Sequence, residues 1–192
     1  MNIIELLEQI RGIAQNGLYY SKNEYDKERY NQLLNLCSEQ YSDLFGLSSK
    51  IISETFLNDV GHITPKIGVN AAIFDGTKLL VTKRSYYNCW ELPGGWAELG
   101  ETPYQTIERE LKEETSLCIK AEELIDVFTR IPGDFNQTFT SYHLLFKAII
   151  IDGIFETSLE TTAMKFITKS DIADLKWHKD HYKMAEIVFE II

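Results

Sequence analysis

The sequence has few of the residues that cross-link small secreted proteins. Only three cysteines occur among its 192 residues, and no two of them have CxxC spacing. An odd number of widely spaced cysteines argues against a disulfide framework and against a cysteine zinc site, and is typical of a protein kept in a reducing compartment. We therefore expect a cytoplasmic protein.

Long apolar runs are also missing. The most apolar segment, Leu144–Ile151, is interrupted by Lys147 and is too short to cross a bilayer. The first residues carry Glu5 and Glu8 ahead of any basic residue, and they lack the apolar stretch of a signal peptide. The sequence therefore predicts neither a secretion signal nor a membrane partner.

Basic residues are scarce relative to acidic ones. Nineteen Lys and Arg stand against 29 Asp and Glu, so the formal net charge is −10. Nucleic-acid affinity comes mainly from Lys and Arg on phosphates, so this excess argues against a nucleic-acid partner. The composition, 44% hydrophobic and 25% charged, is that of a globular protein. A phosphate-bearing substrate would need a locally bound cation.

Residues 1–58 have the pattern of a small all-α region. Apolar residues recur at helical spacing, and the pattern stops at Gly17 and again at Gly46. A third, shorter helix is predicted at Ser48–Phe56. Five of the ten tyrosines fall in this region, and we interpret them as core residues or as part of a dimer face. The sequence therefore predicts a helical N-terminal extension and a homodimer.

Residues 59–66 have turn composition and are predicted to be a linker, and residues 67–192 then alternate strands with helices. The dipeptide Asp75-Gly76 between two apolar runs indicates a hairpin. Further strands and helices are predicted at residues 144–151, 165–168, 170–175 and 180–189. Strands on both sides of one strong helix, with a closing helix, indicate an α/β (α+β) sandwich with a mixed sheet.

That strong helix, residues 103–115, has a well-defined start. Thr102 is a good N-cap, Pro103 suits the first helical position, and Gln105 completes a capping box. A stripe of apolar residues should turn one face of the helix to the core. The sequence therefore predicts this helix and its orientation.

Three carboxylates share one face of this helix. Glu110, Glu113 and Glu114 follow i, i+3, i+4 spacing, and like charges at that spacing destabilise a helix by about 0.2–0.5 kcal/mol per pair. A hard divalent cation with oxygen ligands would offset the repulsion. A solvated acidic face is the alternative, and the three carboxylates alone leave both interpretations open.

The surrounding residues extend this pattern over 23 positions. The conserved spacing of the Nudix box, from its first glycine to its last apolar residue, is matched by Gly95, Glu101, Arg109-Glu110-Leu111, Glu113-Glu114 and Leu117. The sequence thus resembles the Nudix hydrolase family, with Leu92-Pro93-Gly94 leading in from a strand. It departs from the family at Ser116, where the box has a glycine at the helix exit. The departure removes no metal ligand, so we expect activity to survive it.

This resemblance implies a Nudix-type α/β/α sandwich and a Mg²⁺ or Mn²⁺ cofactor. Glu110, Glu113, Glu114 and the Gly94 carbonyl would be the metal ligands. Glu113, Glu114 and Arg109 would act in catalysis, with Arg109 paired to Glu101 behind the metal site. The implied reaction is hydrolysis of a nucleoside diphosphate linked to another moiety.

The N-terminal region also resembles the helical extension of a bacterial Nudix subgroup that includes ADP-ribose and CDP-choline pyrophosphatases. The residues that carry this likeness are Gly17–Ser21, Tyr25–Tyr30 and Thr64–Lys66. Pro132 lies fifteen residues after Leu117, a placement similar to a marker of the ADP-ribose enzymes. The resemblance therefore implies ADP-ribose as the first candidate substrate, with CDP-choline as the alternative.

Three further residues are candidates on position alone. Arg84 follows the second strand and Glu98 lies in the loop before the helix, so that either could contact substrate. The general base is predicted to be Glu160, with Glu156 as the alternative, since family members often supply this carboxylate from a loop after the box. An ordinary surface charge is the alternative interpretation for each.

Other function classes are left as alternatives. A Nudix-like domain can serve as a nucleotide sensor in a regulator, but the acidic N-terminal region does not fit DNA contact. An inert dimerisation module would not need an intact set of glutamates. His178 and His181 have the spacing of a zinc pair but no evident third ligand, and we expect them at a surface helix start.

Overall fold

The computed structural model describes residues 2–191, which form two compact units. The helical unit contains the chain up to Pro65 together with Ile131–Thr140. The sheet unit contains Lys66–Arg130 and the chain from Ser141 onward.

Three α-helices build the helical unit: α1 (Ile3–Tyr20), α2 (Glu24–Phe45) and α3 (Ser49–Leu57). Helix α2 ends at Gly46, whose φ of +68° is the left-handed conformation that glycine adopts without strain. The residues buried between the helices include Leu34, Tyr41 and Phe56. The predicted all-α character of this region is confirmed.

Helix α1 passes through Gly17, where the sequence predicted that it would stop. An added Cβ at Gly17 would lie 2.3 Å from the ring of Tyr30 in α2. The glycine therefore permits close packing of two helices and does not end one. A local sequence signal cannot distinguish these roles, because the partner ring is supplied by another element.

One later segment of the chain, residues 131–140, also belongs to the helical unit. Residues 131–140 contain a 3₁₀ turn at Asp134–Asn136. An added Cβ at Gly133 would lie 2.9 Å from the Phe45 ring, and Thr140 donates a hydrogen bond to Glu8 at 3.3 Å. This segment therefore packs on the N-terminal helices.

Seven strands form the mixed sheet of the sheet unit. Their bounds are β1 Lys66–Asp75, β2 Lys78–Arg84, β3 Cys89–Glu91, β4 Gly94–Trp96, β5 Cys118–Arg130, β6 Ser141–Asp152 and β7 Thr161–Ile167. The main strand order is β3-β2-β1-β6-β5, with β4 paired to β1 and β7 paired to β2. Among the strand pairs formed within residues 2–191, only β1–β6 is parallel. The strand β1 therefore sits at the centre of the unit.

Helices cover both faces of this sheet. Ile107 and Leu111 of α4 (Pro103–Thr115) pack in one buried cluster with Phe146. Met184 and Val188 of α5 (His181–Ile191) pack in a second cluster with β1, β2 and β6 residues. The α/β/α sandwich predicted from the sequence is confirmed, and α4 has the predicted bounds. The predicted helix at 170–175 is a 3₁₀ helix, Lys169–Asp174.

The longest strand, β5, has no clear strand pattern in the sequence and is not among the predicted strands. The 13 residues of β5 do not alternate regularly between apolar and polar types, because Glu122, Glu123 and Asp126 interrupt the apolar pattern. The strand forms by antiparallel pairing with β6 along its length, with register shifts. An edge strand exposed on one side keeps few buried positions, so its period-2 signal is weak.

No helix within the described residues 2–191 is both long enough and apolar enough to traverse a bilayer.

Candidate active site

The start of α4 sets the orientation of the candidate site. The Thr102 hydroxyl accepts from the Gln105 amide at 3.3 Å, and the Gln105 side chain accepts from the Thr102 amide at 2.9 Å. This is the predicted capping box. Ile107 and Leu111 are fully buried, and the box glutamates of the helix lie toward β4 and the loop before β7.

The three box glutamates differ in burial. Glu114 is 4% exposed, Glu110 is half-buried, and the Glu113 side chain is 61% exposed. The Gly94 amide donates to Glu114 at 3.3 Å. An added Cβ at Gly94 would lie 2.0 Å from the Val69 carbonyl oxygen, so only glycine fits there. The sequence-predicted ligand residues are thus brought together at the junction of α4 and β4.

Arg109 holds three carboxylates on one side of the site. Its Nε donates to Glu101 at 2.6 Å, and its Nη1 donates to Glu110 and Glu113, each at 3.0 Å. Its Nη2 also donates to the Trp96 carbonyl at 3.1 Å. The contact lowers the pKa of Glu101 to about 2, chiefly through the Arg109 hydrogen bond. Arg109 therefore connects α4 to the loop before it.

Arg84 holds three more carboxylates on the other side. Its guanidinium lies 2.8 Å from Glu91 and 2.8 Å from Glu114, and it also pairs with Glu160. The Arg84 side chain is only 20% exposed. Burial alone would lower its pKa, but the surrounding carboxylates raise it. The surface-charge interpretation of Arg84 is therefore wrong.

Six carboxylates share these two guanidinium groups: Glu91, Glu101, Glu110, Glu113, Glu114 and Glu160. We call this set the carboxylate cluster, and it has four more negative than positive charges when fully ionised. Burial raises the pKa of Glu114 to about 8 and that of Glu91 to about 7. When all six glutamates are ionised, the two arginines therefore do not balance their negative charge.

The donor chemistry of the cluster fits a hard divalent cation. Carboxylate and carbonyl oxygens are the ligands that Mg²⁺ and Mn²⁺ prefer, and a cation would supply the missing charge. Within residues 2–191, however, no three acidic, histidine or cysteine side chains form a ready-made metal-binding group. The ion pairs explain this, because Glu110, Glu113 and Glu114 are all turned toward arginines. Metal binding would exchange these partners for the cation.

A cavity of about 270 Å³ adjoins the box glutamates. Its lining combines the glutamates of α4 with the loop before β7: Glu110, Glu113, Glu114, Ser158, Leu159 and Glu160. The sequence-predicted base, Glu160, is therefore beside the predicted ligands. Glu156 lies at the exit of α4, where its amide donates to the Thr115 carbonyl at 3.1 Å.

Two sequence-predicted substrate residues lie elsewhere. Glu98 is exposed in the loop before α4, and its amide makes a long contact of 3.4 Å with Glu101. Pro132 is buried within the helical unit and not the sheet unit that holds the box. Glu98 therefore lies next to one glutamate of the carboxylate cluster but does not line the cavity.

A second cavity of about 80 Å³, which we call the polar pocket, lies where β1, β4 and the segment before α5 meet. Its lining includes Asn70, Arg84, Glu91, Trp96, Lys179 and His181. The prediction that His181 lies at the surface is wrong: it begins α5 as expected but is 4% exposed. Its Nδ1 accepts from the Leu92 amide at 3.1 Å. No local motif marks this pocket, because its residues are distant in sequence.

A buried ion pair supports the polar pocket. Arg130 pairs with Asp180 through Nε at 3.0 Å, and its Nη1 donates to His143 Nε2 at 2.8 Å. An arginine is always a donor, so the proton of His143 is on Nδ1. Burial and the neighbouring Arg130 charge lower the pKa of His143 to about 4. The pair therefore links β5, β6 and the start of α5.

Two family descriptions match the chain. The profile described as "NUDIX domain" matches residues 64–186, and the profile described as "UDP-X-like, N-terminal oligomerisation domain" matches residues 1–56. The two matched segments correspond to the predicted catalytic region and the predicted helical extension.

Two curated relatives cover most of the chain. A Bacillus subtilis (strain 168) protein, YjhB, named as a candidate ADP-ribose pyrophosphatase, is 28% identical over 98% of this chain and 91% of its own length. An ADP-ribose pyrophosphatase of Methanocaldococcus jannaschii is 29% identical over 80% of this chain and 87% of its own length. The chain is thus similar to pyrophosphatases along nearly its whole length.

Solved structures agree with these matches. A UDP-X diphosphatase has a TM-score of 0.62 and 25% identity, covering 97% of this chain and 92% of that chain. An ADP-ribose pyrophosphatase from Streptococcus suis 89-1591 has a TM-score of 0.58 and 23% identity over 66% of this chain and 91% of that chain, a likeness of fold alone. With more than half of its length matched by the NUDIX domain, and with that domain's box intact around α4 except at Ser116, the chain belongs to the Nudix hydrolase family.

Proposed function

We propose that this chain hydrolyses the diphosphate bond of a nucleoside diphosphate linked to another moiety, and that it does so with Mg²⁺ or Mn²⁺. The observation that carries the proposal is the carboxylate cluster, in which two arginines serve six glutamates. An anionic diphosphate would be repelled by this cluster alone. A cation between the two makes the acidic site suitable for an acidic substrate.

Glu110, Glu113 and Glu114, with the Gly94 carbonyl, would hold the cation. When bound, a divalent cation supplies charge for the diphosphate and activates water. Glu113 and Glu114 would thereby act in catalysis. Arg109 would orient Glu110 and Glu113 from behind, with Glu101 fixing the guanidinium.

Glu160 is proposed as the general base. Its place in the lining of the 270 Å³ cavity supports this role, as does its half-exposed side chain, 56% accessible to solvent. The ion pair with Arg84 keeps the carboxylate beside Glu114. In the reaction, Glu160 would take the proton of the attacking water, and Arg84 would neutralise charge on the diphosphate.

The identity of the nucleotide is a further proposal. The two curated relatives are named for ADP-ribose, which supports the candidate that the sequence favoured. The UDP-X diphosphatase structure and the UDP-X-like N-terminal profile support a UDP-linked substrate instead. CDP-choline stays the alternative raised by the sequence. Glu98, whose amide contacts Glu101, and Pro132 stay proposed substrate contacts.

The alternative from another class is a nucleotide sensor without catalysis. The complete set of box glutamates supports an enzyme instead, since a sensor has no need of a cation-binding cluster.

The oligomerisation description of the N-terminal match supports an oligomer, and we propose a homodimer. The three cysteines are unpaired, in keeping with a reducing cytoplasmic setting.

The test is a substrate panel with the purified protein. ADP-ribose, UDP-glucose and CDP-choline are offered with Mg²⁺, with Mn²⁺ and with EDTA, and release of nucleoside monophosphate is measured. We expect hydrolysis only with metal. Glu113→Gln and Glu114→Gln should each lower kcat by at least about 100-fold, roughly 2.7 kcal/mol of barrier.

Glu123→Gln is the matched control, because this glutamate on β5 is 70% exposed, pairs with Lys147 and is not part of the carboxylate cluster. It should retain full activity. Turnover in EDTA, or near-normal turnover of Glu113→Gln and Glu114→Gln at saturating Mg²⁺, would contradict the metal assignment. Nucleotide binding without turnover of any substrate would favour the sensor.

A further inference from the structure

The polar pocket contains one buried acceptor that the protein leaves unsatisfied. Asn70 on β1 is 4% exposed and lines the pocket. Its Nδ2 donates to the Leu92 carbonyl at 3.2 Å, which determines which side of the amide is nitrogen. Within residues 2–191, Asn70 Oδ1 has no hydrogen-bond partner. A buried acceptor without a donor is unfavourable, so a ligand that donates a hydrogen bond to Asn70 Oδ1 would satisfy a group that the protein leaves unsatisfied.

The rest of the lining is rich in donors. Lys179 carries only N–H donors, and it holds a left-handed φ of +48°, a strained conformation often found at functional sites. His181 accepts from the Leu92 amide on Nδ1, so its Nε2 bears the proton. Glu91 is already paired with Arg84 at 2.8 Å. A complementary ligand therefore presents one donor and more than one acceptor.

The pocket is small. A cavity of about 150 Å³ is enough to enclose benzene, and the polar pocket measures about 80 Å³. It therefore takes only the edge of a ring, and the hydrogen-bonding groups on that edge determine which ring fits. Trp96, 43% exposed, adds an aromatic wall suited to a flat ring.

The pocket adjoins the proposed catalytic centre. Arg84 lines the pocket and also pairs with Glu114 and Glu160, which line the larger cavity. Gly94 pairs with Asn70 across β4 and β1, and donates to Glu114. A base in the polar pocket would thus leave its diphosphate beside the carboxylate cluster.

We propose that Asn70 is a specificity-determining residue that accepts a hydrogen bond from the ring N3–H of a uracil base, so that the substrates are UDP-linked and not ADP-linked. Uracil has one N–H donor between two carbonyl acceptors, which matches Asn70 Oδ1 among the donors of Lys179 and His181. Cytosine has an acceptor at N3 and adenine has an acceptor at N1, so neither ring nitrogen can donate to Asn70 Oδ1. This inference rests on the proposed function and narrows it to one nucleoside.

The first experiment measures binding without metal or turnover. Calorimetric titration of the metal-free protein with UMP, N3-methyl-UMP and AMP compares the three bases directly. We expect UMP to bind about 10–100-fold more tightly than N3-methyl-UMP, since the methyl group removes the single donor and leaves Asn70 Oδ1 unpaired. AMP should bind more weakly than UMP as well. Equal affinity for UMP and N3-methyl-UMP would overturn the inference.

The second experiment uses turnover with Mg²⁺. The kcat/KM ratio of UDP-glucose to its N3-methyluracil analogue should be about 10–100 in the natural protein and below about 3 in Asn70→Ala. A ratio taken on one preparation does not depend on how much of the variant is folded. Thr82→Val is the control, because Thr82 Oγ1 is also buried without a partner but does not line the pocket. It should keep the natural ratio.

The outcomes separate this inference from the proposed function. Metal-dependent hydrolysis that favours ADP-ribose or CDP-choline, or an Asn70→Ala variant that keeps the N3-methyl penalty, would overturn the uracil assignment and leave the diphosphatase intact. Tight, N3-dependent UMP binding with no hydrolysis of any diphosphate would support the pocket and refute the enzyme.

Discussion

The pKa of each glutamate in the site depends on the arginine that it contacts and on its burial. Arg109 stabilises the ionised form of Glu101, whose pKa falls to about 2. Arg84 does less for Glu114, because burial outweighs it and raises the pKa of that carboxyl to about 8. Glu114 is therefore the box glutamate whose ionised form a bound cation would stabilise most.

The general base can be tested at this scale. Glu160→Gln should lower kcat by about 10²–10⁴-fold, because the amide cannot accept the proton of the attacking water. Manganese affinity should change far less than in Glu114→Gln. Glu156→Gln, at the exit of α4, is the matched control and should stay active. An inactive Glu156→Gln with an active Glu160→Gln would transfer the role to Glu156.

His143 predicts a pH dependence of stability. Its folded pKa, about 4, is below the unfolded value near 6.5, so the unfolded chain binds more protons between these limits. The contribution of His143 is complete above pH 6.5 and is lost as the pH falls toward 4, to a total of about 3 kcal/mol. His143→Gln keeps an acceptor for Arg130 and does not titrate.

Urea unfolding of both proteins at pH 7 and pH 4.5 checks this. The natural protein should lose about 2–3 kcal/mol more than His143→Gln between the two pH values. His178, whose pKa is also lowered to about 4, is present in both proteins and cancels in the comparison. Equal losses would mean that His143 is not buried as a neutral ring.

At the scale of elements, the exit of α4 contains a local conflict. Ser116 is the C-cap with a φ of +62°, where most Nudix boxes place glycine. Its amide donates to the Lys112 carbonyl at 3.0 Å, so the turn is made despite the side chain. A left-handed non-glycine residue costs about 1–2 kcal/mol. The helix therefore ends as the family helix does, but under strain.

Ser116→Gly should raise the free energy of unfolding by about 0.5–1 kcal/mol. Relief of the left-handed strain exceeds the extra chain entropy that glycine brings to the unfolded state. A shift of the urea midpoint measures the gain. Ser48→Gly is the control: Ser48 has a φ of −63° and makes no side-chain cap, so that glycine there should bring no stabilisation. A loss of stability in Ser116→Gly would show that its hydroxyl matters more than its φ.

At the scale of the whole molecule, the helical unit leaves large apolar side chains uncovered. Ile13, Tyr20, Leu36 and Ile51 are each more than half exposed. Scattered apolar residues are normal on a surface, but this number on three helices is typical of an assembly region. The N-terminal match to an oligomerisation domain agrees with that interpretation.

Sedimentation should give the full chain a mass of about 44 kDa, twice its 22.2 kDa. A shorter chain that begins at Thr64 should sediment as a monomer, and its circular dichroism should report whether the sheet unit is folded. Because residues 131–140 pack on the helical unit, the shorter chain should also melt at a lower temperature. A monomeric full chain would refute the homodimer.

The sequence by itself determined the local parts of this protein. The capping box, the proline at the first turn and the apolar stripe define α4 and the face on which its glutamates lie, since each signal acts within four residues. The hairpin at Asp75-Gly76 and the helical character of residues 1–58 follow in the same way. The box spacing was also sufficient to predict the family.

Only the tertiary structure decided the parts that depend on distant residues. Pairing of β5 with β6, passage of α1 through Gly17, and the return of Pro132 to the helical unit all require a partner from another element. The three carboxylates around Arg84 come from β3, α4 and the loop before β7. Asn70 lacks a donor only because the folded chain buries it. Such contacts have no local pattern in the sequence, because they form only when distant parts of the chain fold together.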